Sequence, residues 1–483
     1  MGERRKNVRD FDLTVIGGGA GGLNVASGAV QLGARVALIE KKKLGGDCLY
    51  YGCVPTKALI QSAKIASLMK RSKEFGLNDA NISFDFKNIM NHMRDVISKV
   101  GEHDSPKRFE DMGIKVYFGN GRFLDPHTFE LDGKKITSKK FVISTGSRAV
   151  AIPIKGLENI KYLTNESALE LDYLPKSIII LGAGPIGLEF AQVFARFGVK
   201  VIILEKMGQV LPREDKEISD TLESILKDEG IEIHTCIDVD HVKQNGDQKG
   251  IEVIAVCSGQ KKTFQADEFM IAIGRAPNLE ELNLEAAGVS VGKRAVVVNR
   301  SLRTTARNIW ACGDVTGQYL FTHVAEYQAG LVVANALIPF LKRKTDYRVV
   351  PWVTYTDPEL GQVGMTEDEA RQKYRHVKVY WYDIKELDRA VIEGEDRGMI
   401  KIVCTKKGEI LGAHVLAPRG GEIVHEFVLA MQNNLGVRGI TNTIHVYPTL
   451  SQAIRRTTNK YYAEKIFSGW IPKVTKKLIR IFG

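Results

Sequence analysis

Two cysteines stand in Gly45-Gly46-Asp47-Cys48-Leu49-Tyr50-Tyr51-Gly52-Cys53-Val54-Pro55-Thr56-Lys57 with four residues between them, and the second runs at once into Pro55 and an apolar segment that can start a helix. A thiol at a helix N-terminus loses its proton more readily, because unpaired N–H groups and the helix dipole favour negative charge there. The thiolate is the reactive form of cysteine. Pro55 suits a first helical turn, where its missing N–H costs nothing. The arrangement points to redox chemistry. Half of a zinc site is the alternative, but no second Cys pair or Cys/His pair stands at zinc-finger spacing, and no metal site is expected.

The elements that must position this pair carry a repeated pattern. Phe11 to Ile16 reads as a strand, Gly17-Gly18-Gly19-Ala20-Gly21-Gly22 as a loop, Leu23 to Leu32 as a helix, and Arg35 to Ile39 as a second strand ending in Glu40. In a dinucleotide fingerprint Gly17 makes the tight turn, Gly19 lets a pyrophosphate approach, Gly22 lets helix pack on sheet, and Glu40 takes a ribose hydroxyl. The pattern recurs as Ser177 to Leu181, the loop Gly182-Ala183-Gly184-Pro185-Ile186-Gly187, Leu188 to Phe197, and Lys200 to Leu204 ending in Glu205. One glycine-rich turn is often only a turn. Two copies with the same spacing from first glycine to acid predict two adenine dinucleotides, each pyrophosphate at a helix N-terminus. Glu205 repels a 2'-phosphate, so NADH is favoured over NADPH, and Lys206 is read as a surface residue.

Composition narrows the class. The 483 residues hold about three domains by size, and 44% hydrophobic with 26% charged residues is ordinary for a globular protein. The charged N-terminal segment enters a strand directly, so no secretory signal is expected, and no apolar run reaches the length of a membrane span. A cytoplasmic protein with mostly free thiols follows. The net charge is +11, of which Ser451 to the end supplies +7 and residues 1–10 supply +2, leaving +2 for the body. A near-neutral body argues against a nucleic-acid groove.

Between the loops, residues 56–105 read as helical, with Ile60, Ala63, Ile65 and Leu68 as the apolar spacing. Phe141 to Gly146 and Phe269 to Asn278 read as strand-to-glycine junctions between domains, and Asn308 to Asp314 as an apolar strand ending in Gly-Asp. From Arg348 the chain carries strands at 401–404 and 409–415 and helices at 364–375 and 420–435, with no nucleotide fingerprint.

In this order the pieces resemble the flavoprotein disulfide reductases, the group of dihydrolipoamide dehydrogenase, glutathione reductase and mercuric reductase. The resemblance covers 11 to about 455 and rests on GGDCLYYGCVPTK, both glycine loops, IGRAPN (273–278), ACGD (311–314) and TYTDPELGQVG (354–364). It implies an α/β fold of two Rossmann-like domains with a C-terminal α+β dimerisation domain. The implied divisions are a discontinuous FAD domain (1–150 and 275–347), an NAD(P)H domain (151–274), an interface domain (348–455) and a basic tail (456–483). It also implies a homodimer, FAD on the first loop and a redox-active Cys48–Cys53 disulfide. Cys53 would face the flavin and Cys48 would be the exposed member that attacks substrate. Lys57 and Glu189 would pair beside the flavin. Gly17, Gly19, Gly22, Glu40, Gly46, Lys57, Thr145, Gly146, Gly313, Asp314 and Ala325 would line FAD, with Asp314 on the ribityl chain. Gly182, Gly184, Ile186, Gly187, Glu205 and Gly274 would line the nicotinamide cofactor.

The sequence departs from the family at one end. Thiol-exchanging members carry a His-Pro-Thr with a Glu five residues after the His, supplied across the dimer interface as acid and base. Here Tyr447 and Gln452 hold those places in Ile444 to Gln452, and His445 is read as structural. A Tyr of pKa about 10 is a poor base beside a His of about 6.5, and losing a general base costs about 100 to 10,000-fold. Weak lipoamide or glutathione turnover is expected, with Tyr447 kept as a candidate catalytic residue and hydrogen-bond donor. Mercuric reductases also lack this His, yet this tail has none of their paired terminal cysteines, and no N-terminal metal-binding module is seen. Tyr50, where an Asn is common, adds bulk beside the disulfide.

Cys236, Cys257, Cys312 and Cys404 lie in or beside apolar strands and are read as core. His323 is expected to begin a helix under the flavin. After Trp470, a helix with Ile471, Val474, Leu478 and Ile481/Phe482 on one face sets Lys473, Lys476, Lys477 and Arg480 on the other. Either an anionic membrane surface or the protein's own body fits such a helix. The reading is an FAD-dependent NADH oxidoreductase passing electrons to a disulfide, a thiol-bound metal ion or a quinone. A genuine dihydrolipoamide dehydrogenase or mercuric reductase is the nearer alternative. A membrane-peripheral interaction protein retaining a flavin fold is the one from another class.

Overall fold

The computed structural model describes residues 9–80, 82–150, 152–244, 250–257 and 259–482. The basic residues of the first eight positions lie outside the described residues. Strand β1 (Phe11–Ile16) leads into helix α1 (Ala20–Gln31) and strand β2 (Val36–Glu40). β1 runs parallel between β2 and the strand Lys134–Ile143, with Val15 opposite Leu38 on one side and Val142 on the other. Its apolar sequence follows from that position, because α1 covers one face and a second apolar cluster covers the other. Short helix α2 (Gly46–Tyr50) and helix α3 (Cys53–Lys70) come next.

The second glycine loop repeats the plan. Ser177–Leu181 lies parallel between Lys200–Leu204 and Glu268–Ile271, and the helix Pro185–Arg196 follows the loop. A three-stranded antiparallel sheet of Ile237–Gln244, Ile251–Cys257 and Gln260–Ala266 is appended to it. The chain leaves the first domain and re-enters it through a two-stranded ribbon, Ser147–Ala149 against Arg275–Pro277. Ile309–Ala311 then joins the first sheet, parallel to Lys134–Ile143. From Pro351 a five-stranded antiparallel sheet with helices over it forms a third domain with its own core.

Several elements differ from the sequence expectation. The helical stretch 56–105 is two main helices, α3 and Phe86–Gly101, separated by a short 3-10 turn and by Gly76, which sits at φ 74°. α3 buries Leu59, Ala63 and Ala66, so Ala63 is buried as expected while Ile65 is exposed. The segment 420–435 divides into Gly420–Ile423 and His425–Gln432. The division drawn at 455/456 falls inside the helix Gln452–Phe467, whose Thr457, Thr458 and Tyr461 are buried against the third domain. The separate tail helix is Ile471–Phe482. Cys312 and Cys404 are buried, but Cys257 is half-buried and Cys236 is exposed, because Cys236 occupies a bend at φ 55° between two strands. Among the described residues no helix is long and apolar enough to cross a membrane.

The second and third domains are joined by buried polar contacts. Lys401 is 2% exposed and meets Asp215 at 2.8 Å and Glu367 at 2.8 Å. Trp352 donates to Glu214 at 2.6 Å, and burial raises that carboxyl to about 7. Removing one partner of a buried ion pair strands the other charge and costs about 3–5 kcal/mol. Lys401→Met is therefore expected to lower unfolding stability by about that amount in urea titrations; a loss within experimental error would show that the seam tolerates the uncompensated carboxylates.

Candidate active site at the dithiol helix

The first glycine loop holds the cysteine segment in place. Gly45 donates its N–H to Gly18 O at 2.8 Å. Glu40 accepts from Gly18 N–H at 2.7 Å through one oxygen and from Lys42 N–H at 2.7 Å through the other. The second loop repeats this with Glu205, which accepts from Ala183 and Met207 N–H at 2.7 Å each. Both third glycines are required by contact: a Cβ on Gly22 would stand 1.8 Å from Gly17 O, and one on Gly187 would stand 2.0 Å from Gly182 O. Gly19 and Gly184 precede the two helices, and neither helix has a side-chain cap. A Cβ would meet nothing within 4 Å at Gly184 and only the Gly46 backbone at 3.7 Å at Gly19. Open space over uncapped first-turn N–H groups fits a pyrophosphate at both loops. Ile186 is half-buried in the first turn of the second helix. Lys206 pairs with Asp238 at 3.0 Å on the surface.

A second set of contacts ties the cysteine segment to the domain crossings. Asp47 meets Arg275 at 3.0 Å, Arg275 donates to Ser147 Oγ at 2.9 Å, and Ser147 donates to Asp314 at 2.5 Å. Burial pushes the Asp314 carboxyl above its usual range, and the Ser147 bond partly offsets this. Gly313 N–H donates to Gln328 at 2.7 Å beside buried Ala325. Thr145 and Asn278 exchange bonds at 2.7 and 2.9 Å, and Asn278 N–H meets Gly146 O at 3.0 Å. Gly274 O accepts from Val150 N–H at 3.2 Å in the same crossing. Asp47, Arg275, Ser147 and Asn278 were not singled out from the sequence, although Asp47, Arg275 and Asn278 sit inside its motifs.

At the reacting end, Cys53 is the first residue of α3 and lies 3.9 Å from the Thr322 hydroxyl, at the start of the helix Thr322–Leu337. As free thiols, the two cysteines differ in their surroundings. In this chain without FAD, Cys53 is exposed and Cys48 half-buried. Cys48 lies within α2, and Cys53 opens α3. A hydrogen bond from Cys48 and the charge of Lys57 hold the Cys53 thiol down at about 6 against the opposing effect of burial. The same bond and burial push Cys48 up. At neutral pH the pair is one thiolate and one thiol.

Lys57 lies one turn along α3 and meets Glu189 at 2.8 and 3.1 Å. Glu189 is buried and also accepts from Tyr355 N–H at 3.0 Å, while Lys57 Nζ lies 4.3 Å from the Tyr355 ring centre. Tyr355 belongs to the third domain and was not foreseen. Tyr50 is half-buried beside Tyr51, with ring centres 6.3 Å apart. His323 follows Thr322 and meets Pro351 O at 2.9 Å.

Tyr447 is not brought to the cysteines within this chain. It is 64% exposed, and the Asp388 carboxylate raises its hydroxyl pKa. Gln452 is buried and its amide donates to His445 O at 2.9 Å and Val446 O at 3.3 Å. His445 meets Glu426 at 2.8 Å and Thr443 O at 3.0 Å, a structural position.

Two glycine-loop domains that meet at a dithiol helix, with a third domain closing on the same point, define a dithiol oxidoreductase that takes two dinucleotides. Residues 11–329 match the pyridine nucleotide-disulphide oxidoreductase family and residues 350–458 its dimerisation domain, so the chain belongs to that family. It is an NAD(P)H-dependent flavoprotein with FAD as its flavin. It is 34% identical to a mercuric reductase of Bacillus cereus over 92% of this chain and 70% of that one. It is also 34% identical to a dihydrolipoyl dehydrogenase of Bacillus subtilis over 92% and 96% of the two chains. A Cu(II) complex of the HOCl-induced flavoprotein disulfide reductase RclA from Escherichia coli superposes with a TM-score of 0.84 at 30% identity, covering 94% of this chain and all of that one.

Alkylation of the reduced enzyme by iodoacetamide reads the thiolate directly. Cys53 labelling is expected to titrate with a midpoint near 6. Lys57→Met removes a stabilising cation and should move that midpoint up by about one unit. An unmoved midpoint would mean that Lys57 does not hold the thiolate.

Proposed function

We propose that this protein uses NADH to reduce a thiophilic metal ion, Cu(II) or Hg(II), at the Cys48–Cys53 pair. Within the family, the observation that carries this reading is the substrate end: Tyr447 and Gln452 stand where the resemblance puts an imidazole and its carboxylate, and Gln452 spends its amide on the loop backbone. Reducing an organic disulfide requires protons for the departing sulfurs, which is the task of that dyad. Reducing a metal ion requires two sulfur ligands and electrons. The relatives named for mercuric reduction and the RclA structure holding Cu(II) support the same class of acceptor.

FAD bound at the first loop supplies the relay between the nicotinamide and the cysteine pair. Each protein residue has a task consistent with its surroundings. Glu189 anchors Lys57, and the Lys57 ammonium holds Cys53 as a thiolate. A thiophilic cation takes that thiolate and displaces the proton of Cys48, giving two sulfur ligands. When the S–S bond forms, two electrons leave the sulfurs for the metal, converting two Cu(II) to Cu(I) or one Hg(II) to the element. NADH then restores the dithiol and leaves as NAD+. Glu205, held at both oxygens by backbone N–H groups, favours the 2'-hydroxyl of NADH over a 2'-phosphate.

The dimerisation domain supports a homodimer. The loop from Ile444 to Tyr447, with Ile444 91% exposed, is the segment a second copy would bring toward the cysteines. The reading places the enzyme in the reducing cytoplasm, at the inner face of the membrane when its basic tail is engaged.

Anaerobic NADH and NADPH oxidation against Cu(II), Hg(II), lipoamide, glutathione disulfide and a quinone tests the acceptor. Metal-dependent turnover with NADH should exceed lipoamide turnover, and Tyr447→His/Gln452→Glu should raise the lipoamide rate about tenfold or more. A wild type fastest with lipoamide would overturn the proposal.

A further inference from the structure

The helix Ile471–Phe482 contributes nothing to any core: none of its residues is buried. With about 3.6 residues per turn, Lys473, Lys476, Lys477 and Arg480 fall within an arc of roughly 100°. Ile471, Val474, Leu478, Ile479, Ile481 and Phe482 occupy the opposite arc. Phe467 and Trp470 extend the apolar surface toward the body, and both are largely exposed. No acidic residue occurs from Ser468 to the end, so nothing within the tail neutralises the cations. The tail from Ser468 carries +4 of the net +11, with +3 from Ser451 to Phe467, +2 from residues 1–10 and only +2 from the rest.

We propose that this helix docks the enzyme on an anionic lipid surface, lying in the plane of the interface. Charge complementarity selects that occupant. A second copy's tail would bring four cations against four, whereas anionic headgroups neutralise them while the apolar arc enters the acyl boundary. Trp470 suits the same level, since an indole places an apolar body and a polar N–H across an interface. Twelve residues cannot span a bilayer, so the helix lies on the membrane. Salt should weaken the attachment, because part of it is attraction between exposed charges. The proposal stands apart from the redox reading: the tail shares no residue with the cysteine site.

Co-sedimentation of the full-length FAD-loaded protein with mixed phosphatidylcholine–phosphatidylglycerol vesicles at low salt tests it. The wild type should pellet with these vesicles and remain in solution with pure phosphatidylcholine. Leu478→Glu and the pair Lys476→Glu/Lys477→Glu should each lower the bound fraction about tenfold. Flavin bleaching by NADH, followed in the same samples, should be unchanged in all variants. No pelleting with the anionic vesicles, or equal pelleting with both lipids, would overturn the proposal. A Leu478→Glu protein that changes oligomeric state by light scattering, from a wild type that ignores vesicles, would assign the face to a second copy instead.

Discussion

The Lys57–Glu189 pair is the contact on which the arrangement depends. Lys57 comes from the dithiol helix, Glu189 from the helix after the second glycine loop, and the N–H that fixes Glu189 from Tyr355 of the third domain. One buried carboxylate therefore joins all three parts beside the cysteines. Removing either partner would strand a charge, at a cost of about 3–5 kcal/mol. After the hydrogen bond from Cys48, the charge of the same cation helps lower the Cys53 thiol pKa, so the contact that joins the domains also bears on the thiol.

The rest of the site extends this logic outward. The glycine loop backs the cysteine segment through Gly45 and Gly18, and the chain Asp47–Arg275–Ser147–Asp314 fastens it to the crossings between domains. These contacts come from distant parts of the sequence, yet they converge within one or two residues of a glycine loop or a domain crossing. A dithiol positioned this way is supported from behind and open in front.

Local features were the legible ones. The glycine loops and their acids were readable because a close backbone approach leaves no room for a side chain, as at Gly22 and Gly187. The buried face of α3 was only partly legible: Ala63 is buried as expected, but Leu59 and Ala66 complete the face and Ile65 is exposed. Cys236 was taken as core because its neighbours are apolar, but a bend turns it outward. Lys57 and Glu189 were named only through the family resemblance, since nothing in local spacing pairs residues 132 positions apart.

The central claim is that electrons from NADH arrive at Cys48 and Cys53. Oxidised enzyme is treated anaerobically with NADH, quenched with an alkylating agent and mapped by peptide mass spectrometry. The account predicts new alkylation at both Cys48 and Cys53, with labelling of Cys236, Cys257, Cys312 and Cys404 unchanged. NADH oxidation without new label at either of the two would contradict it.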